Sequence, residues 1–326
     1  MKILYIHSTK GGDKYINDFM SDLLLHGLRE VFGNDVIDYP GCWYMYSDEI
    51  LNRDYDKNII WGKGFTINNT LNHYNSIDRS DIKKKIQKNY FDLVIYGSIR
   101  RSDIYIDEVL KHNNKVLFID GEDDNIIDER YLKHGQYFKR ELLVNKQNVK
   151  PISFAVPKKK IIKKINENPI NLLAPLIPGR YSTYIYDDEE SYYKMYSKSI
   201  FALTYKKLGW DCLRHYEILM NGCIPIFFNL QDCPNLVLTT LPKKMLLNVS
   251  LNYKDILKLY FPFKIYKKKF LSIKRILSYL PNILKNKSTS EFLQENSEIL
   301  EIKKEFLNYT HQNLTTEKLA KYVVDN

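Results

Sequence analysis

Arg214 and Glu217 stand three residues apart in the stretch SIFALTYKKLGWDCLRHYEILMNGCIPIFFNL, with Lys206, Lys207 and Trp210 just ahead of them. If the stretch turns helical after Asp211, the two share one face near the N-terminal end. A helix N-terminus presents unpaired N–H groups and a partial positive charge, and both favour an anion. Two lysines and an arginine beside it would suit two phosphates. Glu217, one turn further on, would sit awkwardly against phosphate but could accept hydrogen bonds from ribose hydroxyls. The plainer alternative is an i,i+3 Arg–Glu pair on a solvated helix face, which contributes little.

A second group that could do chemistry is the acidic run Asp120, Glu122, Asp123 and Asp124, which follows the apolar run KVLFI. Its spacing is not that of a calcium loop. One carboxylate, Asp120 or Glu122, could take a proton from an acceptor hydroxyl if its neighbours raise its pKa. Capping of a following helix accounts for the others. His7 ends the first apolar run, KILYI, at the strand end where parallel α/β sheets place ligands. A lone histidine there also reads as a structural group.

These residues need elements to hold them. SIFALTY alternates and is rich in strand formers, Asp211 offers a cap for a helix to Asn221, and Gly222 stops it. CIPIFF is a short apolar run, as expected of a strand buried on both faces. Strand, helix and strand in succession are the repeating unit of a parallel α/β sheet. Upstream, strands are expected at Lys2–His7, Asp35–Tyr39, Phe91–Tyr96, Lys115–Asp120 and Asn171–Ile177. Helices are expected at Asp81–Lys88, Asp107–His112, Asp187–Lys198 and, from the spacing of Ile16, Phe19, Met20, Leu23, Leu24 and Leu28, at Asp13–Phe32. A turn with a glycine pair covers Ser8–Gly12, and the absence of GxGxxG after the first strand argues against NAD or FAD. Residues 40–80 read as loops whose Trp43, Tyr44, Tyr46, Trp61 and Phe65 either stack on sugars or bases or fill the core. The YFKREL segment, Tyr137–Leu142, and the strand-like Val149–Val156 mark the crossing to a second domain. There Lys139 and Arg140 either face a cleft or lie on a solvated helix face. The run KKKIIKK, Lys158–Lys164, reads as a linker, and residues 251–326 read as basic helices.

The segment from Lys206 to Phe228 resembles the nucleotide-sugar-binding segment of GT-B glycosyltransferases, particularly the exostosin-like and related bacterial and viral families. The shared pattern is an Arg, a Glu, a Gly and an Ile/Val-Pro strand, here Arg214, Glu217, Gly222, Ile224 and Pro225. The resemblance implies an α/β protein of two Rossmann-like domains facing a cleft, with C-terminal helices. It divides the chain into an acceptor-side domain at 1–155, a donor domain at 156–305 and a final helix at 306–326 crossing back. It implies transfer of a sugar from a nucleotide donor, UDP- or GDP-linked, to an acceptor hydroxyl, with no metal and no other cofactor. By the same resemblance Glu217 holds the donor ribose, and Arg214, Lys207 and, by its order in the chain, Arg180 hold the diphosphate. His215 lies beside them. The base would come from the first domain: Asp120, Glu122 or His7.

A chain of 326 residues with 44% hydrophobic and 13% aromatic residues can build two cores and is not a disordered one. Its net charge of +10 allows an anionic partner: a nucleotide, nucleic acid or a membrane surface. The abundance of Lys, Asn, Ile and Tyr weakens that inference, since an AT-rich coding sequence produces the same excess. Cys42, Cys212, Cys223 and Cys233 have no CxxC spacing, so neither a zinc site nor a disulfide framework is expected. No apolar run is long enough to span a bilayer, and MKILYIHSTK lacks the features of a signal peptide, so a soluble cytoplasmic protein is expected. Three alternatives stay open: a glycosyltransferase acting on a hydroxymethylated DNA base, a nucleotide-binding module without catalysis, and an enzyme peripheral to the membrane through basic residues 258–287.

Overall fold

The apolar run Ile3–Ile6 (β1) is fully buried, as a strand covered on both faces must be. The structure, a computed structural model, describes residues 1–8, 15–113, 115–253 and 289–326. Strand β1 lies one place in from the edge of a six-stranded sheet with β2 (Val36–Tyr39), β3 (Leu93–Tyr96), β4 (Val116–Asp120), β5 (Gln136–Lys139) and β6 (Val149–Pro151). The order is β2-β1-β3-β4-β5-β6 and every neighbouring pair is parallel. A second, three-stranded parallel sheet holds β7 (Asn171–Leu173), β8 (Ser199–Tyr205) and β9 (Ile224–Phe228) in that order. The chain is therefore an α/β protein with two parallel sheets, compatible with Rossmann-like folds.

Among the described residues the helices are α1 (Phe19–Phe32), α2 (Ser47–Ile50), α3 (Ile82–Gln87), α4 (Ile106–His112), α5 (Glu189–Ser197), α6 (Leu213–Met220), α7 (Lys243–Asn252), α8 (Thr289–Glu295), α9 (Ile299–Asn313) and α10 (Thr316–Asp325). Helix α1 begins six residues later than Asp13 because the Asp18 carboxylate accepts from the N–H groups of Met20 and Ser21. It ends at Gly33, whose φ of 57° suits glycine. The Tyr137–Leu142 segment starts as strand β5, so Lys139 and Arg140 are buried rather than on a solvated helix face. The glycine pair of the Ser8–Gly12 turn and the basic segment 258–287 lie outside the described residues. No helix among the described residues is long and apolar enough to cross a membrane.

Two segments link the sheets side by side. Val156 donates its N–H to the Leu314 carbonyl at 2.9 Å, and Thr316 donates to the Val156 carbonyl at 3.1 Å. Helix α10 then lies on α1 beside the first sheet. Gly27 makes that approach possible, because a Cβ there would stand 1.9 Å from the Thr316 carbonyl oxygen. Next to it, His26 Nδ1 meets Thr316 Oγ1 at 2.8 Å.

Candidate functional site

Strand β8 and helix α6 carry the Arg–Glu pattern, and every residue of α6 is buried. The solvated Arg–Glu pair does not form. Arg214 is only 7% exposed, and its Nε donates to Thr204 Oγ1 at the end of β8, at 3.3 Å. Its Nη2 is buried with no hydrogen-bond partner, and among the described residues no carboxylate reaches ion-pair distance. The Tyr205 ring lies 6.0 Å away, and Tyr184, Tyr192 and Tyr196 are close enough to act on its charge. An arginine cannot shed its proton, so an unpaired buried guanidinium is expensive to maintain. Such a group fits a site where an anion completes the pairing.

His215 is hydrogen-bonded through both ring nitrogens within the chain. Its Nε2 donates to the Trp210 carbonyl at 2.9 Å, which leaves Nδ1 to accept from Thr204 Oγ1 at 2.8 Å. Thr204 therefore donates to His215 and accepts from Arg214, and its orientation is fixed. Burial, reinforced by the charge of Arg214, pushes the His215 pKa down to about 3, so the ring stays neutral. Lys207 and Arg180 lie at the same edge of the sheet. The Lys207 ammonium stands 6.0 Å from the Tyr184 ring centre. Arg180 follows Gly179 in the turn after β7, where Gly179 donates to Tyr184 and Tyr205 donates to the Pro178 carbonyl. Lys206 instead stacks over Trp210, 5.1 Å from its centre.

Glu217 makes its hydrogen bonds to Thr66 and Tyr192, not to Arg214. Its Oε1 accepts from Thr66 Oγ1 at 2.6 Å and its Oε2 from the Tyr192 hydroxyl at 2.7 Å. Burial raises its pKa, although both hydrogen bonds and the charge of Arg214 work against the rise. Thr66 also donates its N–H to Glu189, which pairs with Lys160 at 2.6 Å.

The edge of the first sheet is occupied differently. Each acid at the end of β4 is paired with a base: Asp120 with Lys139 at 2.8 Å, Glu122 with Arg101, Asp123 with Arg140 and Asp124 with Arg100, while Lys139 also reaches Asp124 at 3.4 Å and Arg100 reaches Asp120 at 4.0 Å. Asp120 also accepts from the Tyr137 hydroxyl at 2.6 Å and from the Glu122 N–H at 3.1 Å. His7 donates from Nδ1 to the Ser8 carbonyl and meets Asp22 through Nε2 at 2.8 Å. Burial pulls the His7 pKa down, but the hydrogen bond and charge of Asp22 outweigh it and leave it raised. Among the described residues, His7, Asp120 and Glu122 make no hydrogen bond to Arg214 or Glu217, so the structure does not join the two sets of candidates directly.

The two sheets meet at Gly209–Asp211. Arg140 donates to the Asp211 carbonyl, and Glu141 accepts from the Asp211 N–H at 2.9 Å. Gly209 leaves no room for a side chain, since a Cβ would lie 2.6 Å from Glu141 Oε1. Asp211 does not cap α6 as expected. Its Oδ2 accepts from the Phe154 N–H at 2.9 Å, and the Tyr216 hydroxyl acts on the same buried carboxylate. Burial pushes its pKa up to about 7 against the pull of Arg140.

Sequence reasoning did not anticipate Thr204, Tyr192, Tyr196, Thr66 or Glu189 at this site. The tyrosine-rich run ahead of β8 was the available signal for part of it. What fold and site define together is a parallel α/β protein with a buried arginine, one nitrogen unpaired, beside a strand end. No protein-family model matches the chain, and no curated protein matches it either.

Proposed function

We propose that the chain is a glycosyltransferase of the GT-B kind, taking a UDP- or GDP-sugar and transferring the sugar to an acceptor hydroxyl. The observation that carries this reading is Arg214, a buried guanidinium with an unpaired Nη2 at the carboxyl end of β8. A diphosphate supplies the counter-charge it lacks, and the developing charge on the leaving nucleotide is what such a group stabilises. Lys207 and Arg180 add positive charge, Thr204 and His215 hold the guanidinium in place, and Glu217 takes the ribose hydroxyls. The resemblance supports the same roles: Gly222 closes α6 at φ 64° and Pro225 lies in β9, where the pattern requires them. The arrangement of two Rossmann-like domains belongs to this proposal, as does a base from the first sheet. Of the three candidates, Glu122 is the most accessible, its side chain 23% exposed against 0% for Asp120.

A thermal-shift and calorimetric screen with UDP, GDP, CMP and their sugars tests the reading. One diphosphate nucleotide should stabilise the wild type, because a ligand bound only by the native state raises its stability. Arg214→Met should abolish that shift while the protein stays folded. No shift with any nucleotide would overturn the proposal. A second reading, nucleotide binding without transfer, draws on the full pairing of His7, Asp120 and Glu122. Tight binding with neither transfer nor donor hydrolysis would favour it.

A further inference from the structure

Thr66 has a strained backbone. It is β-branched, fully buried and held at φ 76°, a region that such residues rarely occupy. Its segment, Trp61–Leu71, repeats the feature, with positive φ at Gly62, Lys63, Gly64 and Asn69 as well. Strain of this kind persists where surrounding contacts over-determine it, and it gathers at clamps and switches. Here the contacts are two carboxylates and the Tyr193 hydroxyl, which lies 2.7 Å from Thr66 Oγ1. The Thr66 N–H donates to Glu189 and its hydroxyl to Glu217. Phe65 rests on the Tyr192 ring at 5.4 Å, and Tyr192 donates to the other oxygen of Glu217. The segment thus governs both oxygens, one directly and one through Tyr192. Its flanks are tied down too: Lys63 donates to the Tyr186 carbonyl and Asp187, and Lys159 to the Thr70 carbonyl.

We infer that Thr66 is a positioning residue that competes with ligand for Glu217, so that a ribose claims this carboxylate only by displacing the Trp61–Leu71 strap. The inference rests on the nucleotide-site reading above. It makes the strap a gate, set by one hydroxyl, on the ribose half of the ligand and not on its phosphates. Thr66→Val keeps the shape and removes the hydroxyl, whereas Thr66→Ser keeps the hydroxyl.

Calorimetric titrations with the nucleoside diphosphate that binds best, and with inorganic pyrophosphate, test it in the wild type and both variants. Thr66→Val should bind the nucleoside diphosphate about fivefold to tenfold more tightly, the worth of one hydrogen bond no longer broken. Thr66→Ser should match the wild type, and pyrophosphate affinity should be the same in all three. A residue that merely supports the site would show weaker binding on losing its hydroxyl. Nucleotide binding by the wild type with no gain in Thr66→Val overturns the inference alone, as does an equal gain with pyrophosphate. Binding by neither protein overturns the nucleotide-site reading and this inference with it, while binding by Thr66→Val only supports both. Should Thr66→Val not fold, Tyr192→Phe frees the other Glu217 oxygen and carries the same expectations.

Discussion

Asp211 offers a sharp test of how the two sheets are joined. Its side chain is 2% exposed, and burial drives its pKa from 3.8 to about 7 even though Arg140 and the Phe154 N–H both favour the charged form. A raised carboxyl binds its proton more tightly in the folded state than in the unfolded chain. Its contribution to stability is therefore complete below the unfolded value and is lost as pH rises through the window from about 4 to about 7. A rise of about three pH units at about 1.4 kcal/mol each gives an upper figure of about 4 kcal/mol. Asp211→Asn removes the titration and resembles the protonated acid. Its amide carbonyl can still accept from Phe154, and its NH₂ takes the place of Oδ1, with the Tyr216 hydroxyl oxygen as its acceptor. Urea unfolding followed by circular dichroism between pH 5 and 8.5 reads the result. The variant should gain on the wild type as pH rises from 5 to about 7, then hold a constant lead to pH 8.5. His7, Asp22 and Glu217 titrate in both proteins and largely cancel. A difference that stays flat with pH, or a variant less stable at pH 8.5, would refute the reasoning.

Other substitutions probe other joints. Arg214→Met should cost about 2 kcal/mol or more of nucleotide affinity yet raise the melting temperature, because it removes an unpaired buried charge; a lowered melting temperature would show the guanidinium to be structural. Glu217→Ala should weaken nucleotide-sugar binding by more than ~1 kcal/mol with the fold intact, and equal affinity in a titration would sink the ribose assignment. Gly209→Ala should destabilise by about 1–3 kcal/mol through the clash with Glu141, measured as a fall in urea midpoint. Gly27→Ala should loosen α10 from α1, seen as faster amide exchange in Thr316–Asp325 than in the wild type.

The strands were readable because their runs are short and apolar: KILYIH, FDLVIY, KVLFID and CIPIFF each contain an observed strand. Helix starts were less so. Ile16 fits the period of α1, yet the Asp18 carboxylate captures two backbone N–H groups and starts the helix after itself. Asp211 had the right position to cap α6, but its oxygen went to Phe154, 57 positions away. YFKREL looked like a solvated surface because its neutralising partners, Asp120, Asp123 and Asp124, are distant in sequence. The same reason hid the site. Spacing put Arg214 opposite Glu217, whereas the fold gives Glu217 to Thr66 across 151 positions and leaves the arginine unpaired. Local patterns report local geometry, and these pairings are tertiary.

The seat of α10 on α1 bears on how the protein is made. His26 waits for Thr316, 290 positions further along the chain. At a translation rate of roughly 5–20 residues per second, that is a delay of roughly 15–60 s. Throughout it the Gly27 notch lies uncovered and the first sheet lacks one of its covering helices. A ribosome that stalls before Thr315 therefore leaves a chain marked as incomplete at its beginning, where α1 still shows the apolar surface that chaperones and proteases recognise.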